Sequence, residues 1–285
     1  MTDQAQPLRE MVQAARRARQ RARVVAVTSG KGGVGKTNLA ANLGLLLVGR
    51  GQRVALLDAD LGLANVDIVL GIDPPFTLSH VLSGERSLAE VMVEGPKGLK
   101  VLAGGSGVFE LANLSQWRLE RFIRALESLD DSLDLLLLDT GAGIGRQVMA
   151  FNLASQELIV VTTPEPTSLA DAYSVIKVVA TRRADVRLLV AVNMAPSLRE
   201  GEAVFERLST VARRFLGVQL EHLGTIPRDE AVVRAVQRQE PFVLASPHAP
   251  ASRAVASMAD KLSGFKQPEP TGVAGFLQRI LRLAR

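Results

Sequence analysis

Residues Gly30 to Thr37 read GKGGVGKT and stand between an apolar run, VVAVTS at 24–29, and a helical pattern from Lys36 to about Arg50. This local pattern restricts the fold more than any other in the chain. A glycine-rich loop that leaves a buried strand and opens a helix can turn successive backbone N–H groups onto a phosphate, and the helix N-terminus favours the anion. Gly30, Lys31, Gly32, Gly33, Val34, Gly35, Lys36 and Thr37, with Asn38 behind them, are therefore expected to bind nucleotide. Lys36 suits the β and γ phosphates, and the Thr37 hydroxyl suits Mg²⁺.

The rest of the chain continues in the same grammar. Near-continuous apolar runs end at Asp58, Asp139, Thr163, Asn193 and Pro227, and they alternate with helical patterns such as Leu169 to Arg183 and Ala203 to Phe215. That alternation predicts an α/β fold of the P-loop type, a mostly parallel sheet with helices on both faces. Ligands of such sheets sit at the carboxyl ends of the strands. Asp58, Asp60 and Asp139 all fall there, where a carboxylate can hold Mg²⁺ or its waters, orient an attacking water, or simply cap a helix.

With 285 residues and 47% hydrophobic content, the chain has enough material for one large domain with tails. It contains no cysteine, which excludes thiolate-held iron–sulfur clusters and points to a cytoplasmic address. Neither a secretory h-region nor an apolar run of about 18 residues occurs. The net charge of +5 is concentrated in the two ends, so the central region is slightly acidic and no specific nucleic acid is expected as a partner.

Both tails carry patterns of their own. Residues 264–272, GFKQPEPTG, read as a linker. Beyond it, 273–285 place Val273, Phe276, Leu277, Ile280, Leu281, Leu283 and Ala284 within an arc of about 160° on a helical wheel, with Arg279, Arg282 and Arg285 outside it. Such a helix suits an anionic cytoplasmic membrane, with Phe276, Leu277, Ile280 and Leu281 as the inserting residues, or a groove on its own domain. It could occupy the two in succession. At the other end, residues 1–23 form a basic segment that opens with the pattern DQAxxLR, formed by Asp3, Gln4, Ala5, Leu8 and Arg9.

These motifs together resemble the MinD-like ATPases of the deviant Walker A class across residues 24–285, on GKGGVGKT with its early Lys31, DADLGLANVD, DTGAGI, TTPEPTSLADAY and the tail helix. DQAxxLR and Asn38, where most relatives have a second Thr, are similar to the flagellar number regulators within that class, called FlhG, FleN or YlxH. The resemblance implies ATP and Mg²⁺ as cofactors and a slow ATPase that closes into a homodimer, with Lys31 reaching the partner's nucleotide. It makes Asp60 the residue that positions water, assigns Thr37, Asp58 and Asp139 to the metal, and places Asn193, Pro227, Arg228 and Asp229 around the adenine. It further implies that residues 1–23 bind the signal-recognition-type GTPase FlhF and stimulate it through Gln4, 24–263 being the ATPase domain. A flagellar transcription factor or switch-complex component is a further class of partner. ParA-type DNA partitioning and MinD-type division-site control are the neighbouring functions in the same class.

Overall fold

The computed structural model describes residues 21–60, 65–104, 129–265 and 272–284. Asp3, Gln4, Ala5, Leu8 and Arg9, most of the expected linker and the Leu281 side chain lie outside what is described. The strands are β1 (Arg23–Ser29), β2 (Val54–Ala59), β3 (Met92–Glu94), β4 (Lys100–Leu102), β5 (Leu135–Ala142), β6 (Glu157–Thr162), β7 (Arg187–Ala195) and β8 (Glu221–Pro227). They form one sheet in the order β3-β4-β2-β5-β1-β6-β7-β8, parallel throughout except for the short β3–β4 pair at one edge.

Two-residue alternation divides the strand side chains between two cores. Val25, Val27, Leu135 and Leu137 face α1 (Lys36–Val48), α2 (Val66–Leu70), α9 (Glu230–Gln237), α10 (Phe242–Ala245) and α11 (Pro250–Gly264). Val24, Ala26, Leu136 and Leu138 face α3 (Leu78–Ser83), α4 (Leu88–Val91), α5 (Leu129–Ser132), α6 (Arg146–Ala154), α7 (Pro166–Arg182), α8 (Leu198–Leu216) and α12 (Gly272–Ala284). The expected mostly parallel sheet, covered on both faces, is the fold. Among the described residues no helix is long and apolar enough to cross a membrane.

An ionic clasp holds the amino-terminal ends of the central strands. Arg23 pairs with Glu157 at 2.7 Å, the two side chains being 4% and 0% exposed. Arg187 joins the same carboxylate at 3.5 Å and Glu221 at 2.6 Å, with its guanidinium over the Phe265 ring at 4.0 Å. Two guanidiniums on one buried carboxylate offset a desolvation that a single exposed pair would not face.

The tail helix is docked. Val273, Phe276, Leu277 and Ile280 are at most 5% exposed and belong to the α6 side of the core, with the Phe276 ring 6.3 Å from that of Phe151. Of the two destinations open to the helix in the sequence, the structure holds it in the groove on its own domain. Leu283, on the margin of the apolar arc, remains 37% exposed. The first turn of α12 takes its acceptor from elsewhere in the chain: Asp130 accepts the N–H groups of Val273 at 2.7 Å and Ala274 at 3.4 Å, and also that of Ala22 at 3.2 Å.

Candidate nucleotide-binding site

β1 delivers the loop at the centre of the sheet, where α1 begins. Gly35 adopts φ +89°, and a Cβ there would overlap the Asn193 amide, so this position requires glycine. Asn193 Nδ2 donates to Val34 O at 2.8 Å and its Oδ1 accepts from Met194 N at 2.8 Å, which pins the end of β7 against the loop. Lys36 is buried to 8% exposure at the mouth of α1.

The carboxylates gather because β2 and β5 are neighbours in register: Asp58 stands opposite Asp139. Asp139 accepts a hydrogen bond from the Thr37 side chain. Burial pushes the Asp139 carboxyl up to about 7, against the downward pull of Thr37 and Lys36 and with a further upward push from Asp58 and Asp60. Asp139 Oδ1 is buried with no hydrogen-bond partner among the described residues. An orphaned carboxylate oxygen behind the Thr37 hydroxyl fits a Mg²⁺ site completed by waters and phosphate.

Asp58, also expected at the metal, differs from Asp139 in being hydrogen-bonded on both oxygens. One oxygen accepts Asp60 N at 3.0 Å, and the other accepts Asn65 N at 3.0 Å and Val66 N at 3.2 Å. Three backbone donors thus share the carboxylate, and the oxygen facing Asp60 keeps a free acceptor position. Burial raises Asp58 to about 6, with those backbone donors pulling the other way.

A cavity of about 740 Å³ opens over the loop, within the range of ligand pockets. Gly32, Gly33, Gly35, Lys36, Thr37, Asn38, Asp60 and Asn193 line its polar half. Met194, Val69, Val232, Val233 and Val236 line the other half, with Gln237 at the end. The sequence motifs do not predict those apolar walls. Their signal in the sequence was the Val233 and Val236 pair, three apart on α9 and each half-exposed on the side away from the core. Pro227, Arg228 and Asp229, expected at the base, are not among the lining residues. Asp229 instead caps α9 through Ala231 N at 2.9 Å and holds Ala251 N at 3.0 Å, so the loop positions α9 and the helix supplies the wall.

Lys31 is outside the cavity. Its side chain projects to 44% exposure and its Nζ sits 2.6 Å from Glu165 Oε2 and 3.4 Å from Thr167 Oγ1. An exposed pair of this kind is worth about 1 kcal/mol or less, so the lysine is easily drawn to a stronger anion.

The raised Asp139 carboxyl has a measurable consequence. A carboxyl that holds its proton longer when folded contributes stability below its ordinary value near 4, and that contribution is lost as pH rises to about 7. In chelator without nucleotide, the melting temperature of the wild-type chain is expected to fall between pH 5 and 8 relative to Asp139→Asn, which keeps a neutral side chain. Parallel pH profiles for the two proteins would remove this assignment.

A family model described as ParA: NUBPL iron-transfer P-loop NTPase matches residues 20–263. The antiactivator FleN of Pseudomonas aeruginosa is 43% identical over 261 residues, covering 91% of this chain and 93% of its own length. The flagellum site-determining protein YlxH of Helicobacter pylori is 36% identical over 265 residues, with 90% and 89% covered. Among solved structures, the MinC:MinD cell division protein complex of Aquifex aeolicus matches with a TM-score of 0.69 and 30% identity over 87% of this chain and 98% of that one. MinD of Pyrococcus horikoshii complexed with Mg-ADP matches at 0.66 and 28%, with 85% and 98% covered.

Proposed function

The chain belongs to the ParA/MinD family of P-loop ATPases, and we propose that it is a nucleotide-operated switch controlling the number and placement of flagella. The likeness to FleN and YlxH over about nine-tenths of both chains carries this reading. The iron-transfer part of the family description has no thiolate here to hold a cluster.

Bound Mg·ATP supplies the phosphoanhydride and a cation that neutralises its charge. The loop N–H groups and Lys36 bind and orient the phosphates, Thr37 and Asp139 hold the metal's shell, and Asp60 orients the attacking water at the cavity wall. Met194 and the α9 valines exclude water around the base. Asn193 helps to clasp that base from its anchored position on the loop.

Closure of a second copy over this face would draw Lys31 from Glu165 to the opposing nucleotide. Half-exposed Met194 in the cavity wall and Ile68, next to the lining residue Val69, give such a copy an apolar surface. In this reading, dimerisation frees α12 for the anionic inner face of the cell membrane, and Gln4 reaches the active site of an FlhF-type GTPase to speed its hydrolysis. Hydrolysis through Asp60 resets the switch.

Size-exclusion chromatography of Asp60→Ala tests the cycle. With ATP and Mg²⁺ the variant is expected to accumulate as a dimer that retains an added FlhF-type GTPase, and with ADP to elute as a monomer. An Asp60→Ala chain that binds ATP yet stays monomeric would remove both the water-positioning role and the dimer switch.

A further inference from the structure

The docked position of α12 creates a surface that neither the tail nor the body has alone. Two adjoining cavities, of about 390 and 250 Å³, lie where α12 meets α6 and the carboxyl end of α7, and Leu153, Arg182 and Leu283 line both. Arg279 and Arg282 enter from the tail, and Arg182 enters from α7. No carboxylate lines either cavity among the described residues.

The positive charge there outweighs the negative charge near it, which comes from Asp185. Arg183 is occupied by the Leu153 and Ser155 carbonyls and by Asp185 at 2.8 Å. Arg279 donates to the Ala154 carbonyl at 3.4 Å and feels the Asp185 carboxylate that Arg183 already holds. Arg182 and Arg282 are exposed and make no contact with an acidic group among the described residues. Two guanidiniums brought beside a third repel one another unless an anion sits between them, and guanidinium forks match phosphate oxygens.

We propose that Arg182, Arg279 and Arg282 form a phosphate-binding cradle that exists while the tail is docked, and that its ligand is the phosphate of an anionic lipid headgroup. The lining favours lipid over a soluble phosphate compound. Leu153 and Leu283 adjoin the arginines, and half-exposed Ile144 continues the apolar strip toward solvent, so an acyl chain has a surface beside its headgroup. The chain therefore meets the bilayer before the tail is released, with the apolar face of α12 still buried and positioned for transfer. This rests on the membrane reading of the tail given above, and adds a body residue, Arg182, to it.

The test is co-sedimentation of the full, nucleotide-free chain with vesicles of phosphatidylglycerol in phosphatidylcholine. Wild type is expected to bind, and Arg182→Glu to bind about tenfold more weakly or less, while Arg182→Lys stays near wild type. Melting temperature and basal ATPase activity should be unchanged in both variants, because Arg182 is exposed and distant from the phosphate loop. Equal binding by wild type and Arg182→Glu, with binding lost on deleting 273–285, would overturn the cradle and leave the tail anchor standing. Undiminished binding after that deletion would overturn the anchor and the cradle together. Inorganic phosphate provides the other arm: if it stabilises wild type but not Arg182→Glu and phosphatidylglycerol does not compete, the site takes free phosphate and the lipid assignment falls.

Discussion

Lys36→Ala is expected to lower the rate of ATP hydrolysis by about 10²- to 10³-fold or more, which is the scale of removing one preorganised charge from a phosphoryl-transfer site. The local electrostatics make the loss larger than a missing contact. Lys36 pulls the Asp139 carboxyl down while Asp58 and Asp60 push it up, so without the lysine a group of three carboxylates faces an incoming polyphosphate. Nucleotide affinity should fall with the rate, because the same charge serves the ground state. The backbone cradle and the Thr37 hydroxyl remain, so residual Mg²⁺-dependent binding at millimolar nucleotide is expected. Phosphate release and equilibrium nucleotide binding measure the two effects, and an unchanged melting temperature confirms that the fold survives. A variant within about threefold of wild type in both would show that Lys36 does not bind the phosphates.

The main features of the fold were legible because its strands are long, buried on both sides and separated by strong helical patterns. β1, β2, β5, β6, β7 and β8 all fall within a few residues of the apolar runs, since a strand covered on both faces needs apolar residues throughout. β3 and β4 gave no such signal: each has three residues at an edge, too few for periodicity. The phosphate loop was legible for a different reason, because close approach of backbone to an anion demands glycines at fixed places. The base-side wall was not. Met194, Val232, Val233 and Val236 read in sequence as core or surface, and only the packing of α9 beside the end of β7 turns them into a pocket. Asp229 was legible only through the resemblance, because an acidic residue after a strand serves equally beside a ligand or as a helix cap, and the capping role is the one its hydrogen bond to Ala231 N displays. The tail presented a true ambiguity: an amphipathic face has the same sequence whether its partner is lipid or the protein itself.

Asp130→Ala is the substitution that separates those two partners, because it weakens docking without touching the apolar face that would enter a bilayer. Asp130 Oδ1 accepts the N–H groups of Ala22 and Val273, and Oδ2 accepts that of Ala274. Gly272 enters α12 at φ +76°, where a side chain would crowd the same carboxylate. Alanine would leave those donors without their acceptor and remove a negative charge from a helix N-terminus. Hydrogen bonds to a charged acceptor contribute roughly 1.5–3 kcal/mol each, though the longest here adds less. The loss has a ceiling, however, since a tethered helix can leave its groove rather than endure it. Burying Val273, Phe276, Leu277 and Ile280 contributes up to roughly 6–12 kcal/mol, reduced by the entropy of ordering the helix. A weakening of about 2–4 kcal/mol therefore shifts the balance from docked to released by roughly 30- to 1000-fold. Nucleotide-free Asp130→Ala is expected to bind anionic vesicles about as well as the ATP-bound wild type, with ATP adding little. Because Ala22 lies at the end of the N-terminal segment and shares the carboxylate, both ends of the chain should loosen together, seen as faster amide exchange at Ala22 and along α12. Nucleotide-free vesicle binding no tighter than that of nucleotide-free wild type, with exchange at both places unchanged, would show that Asp130 does not hold the tail.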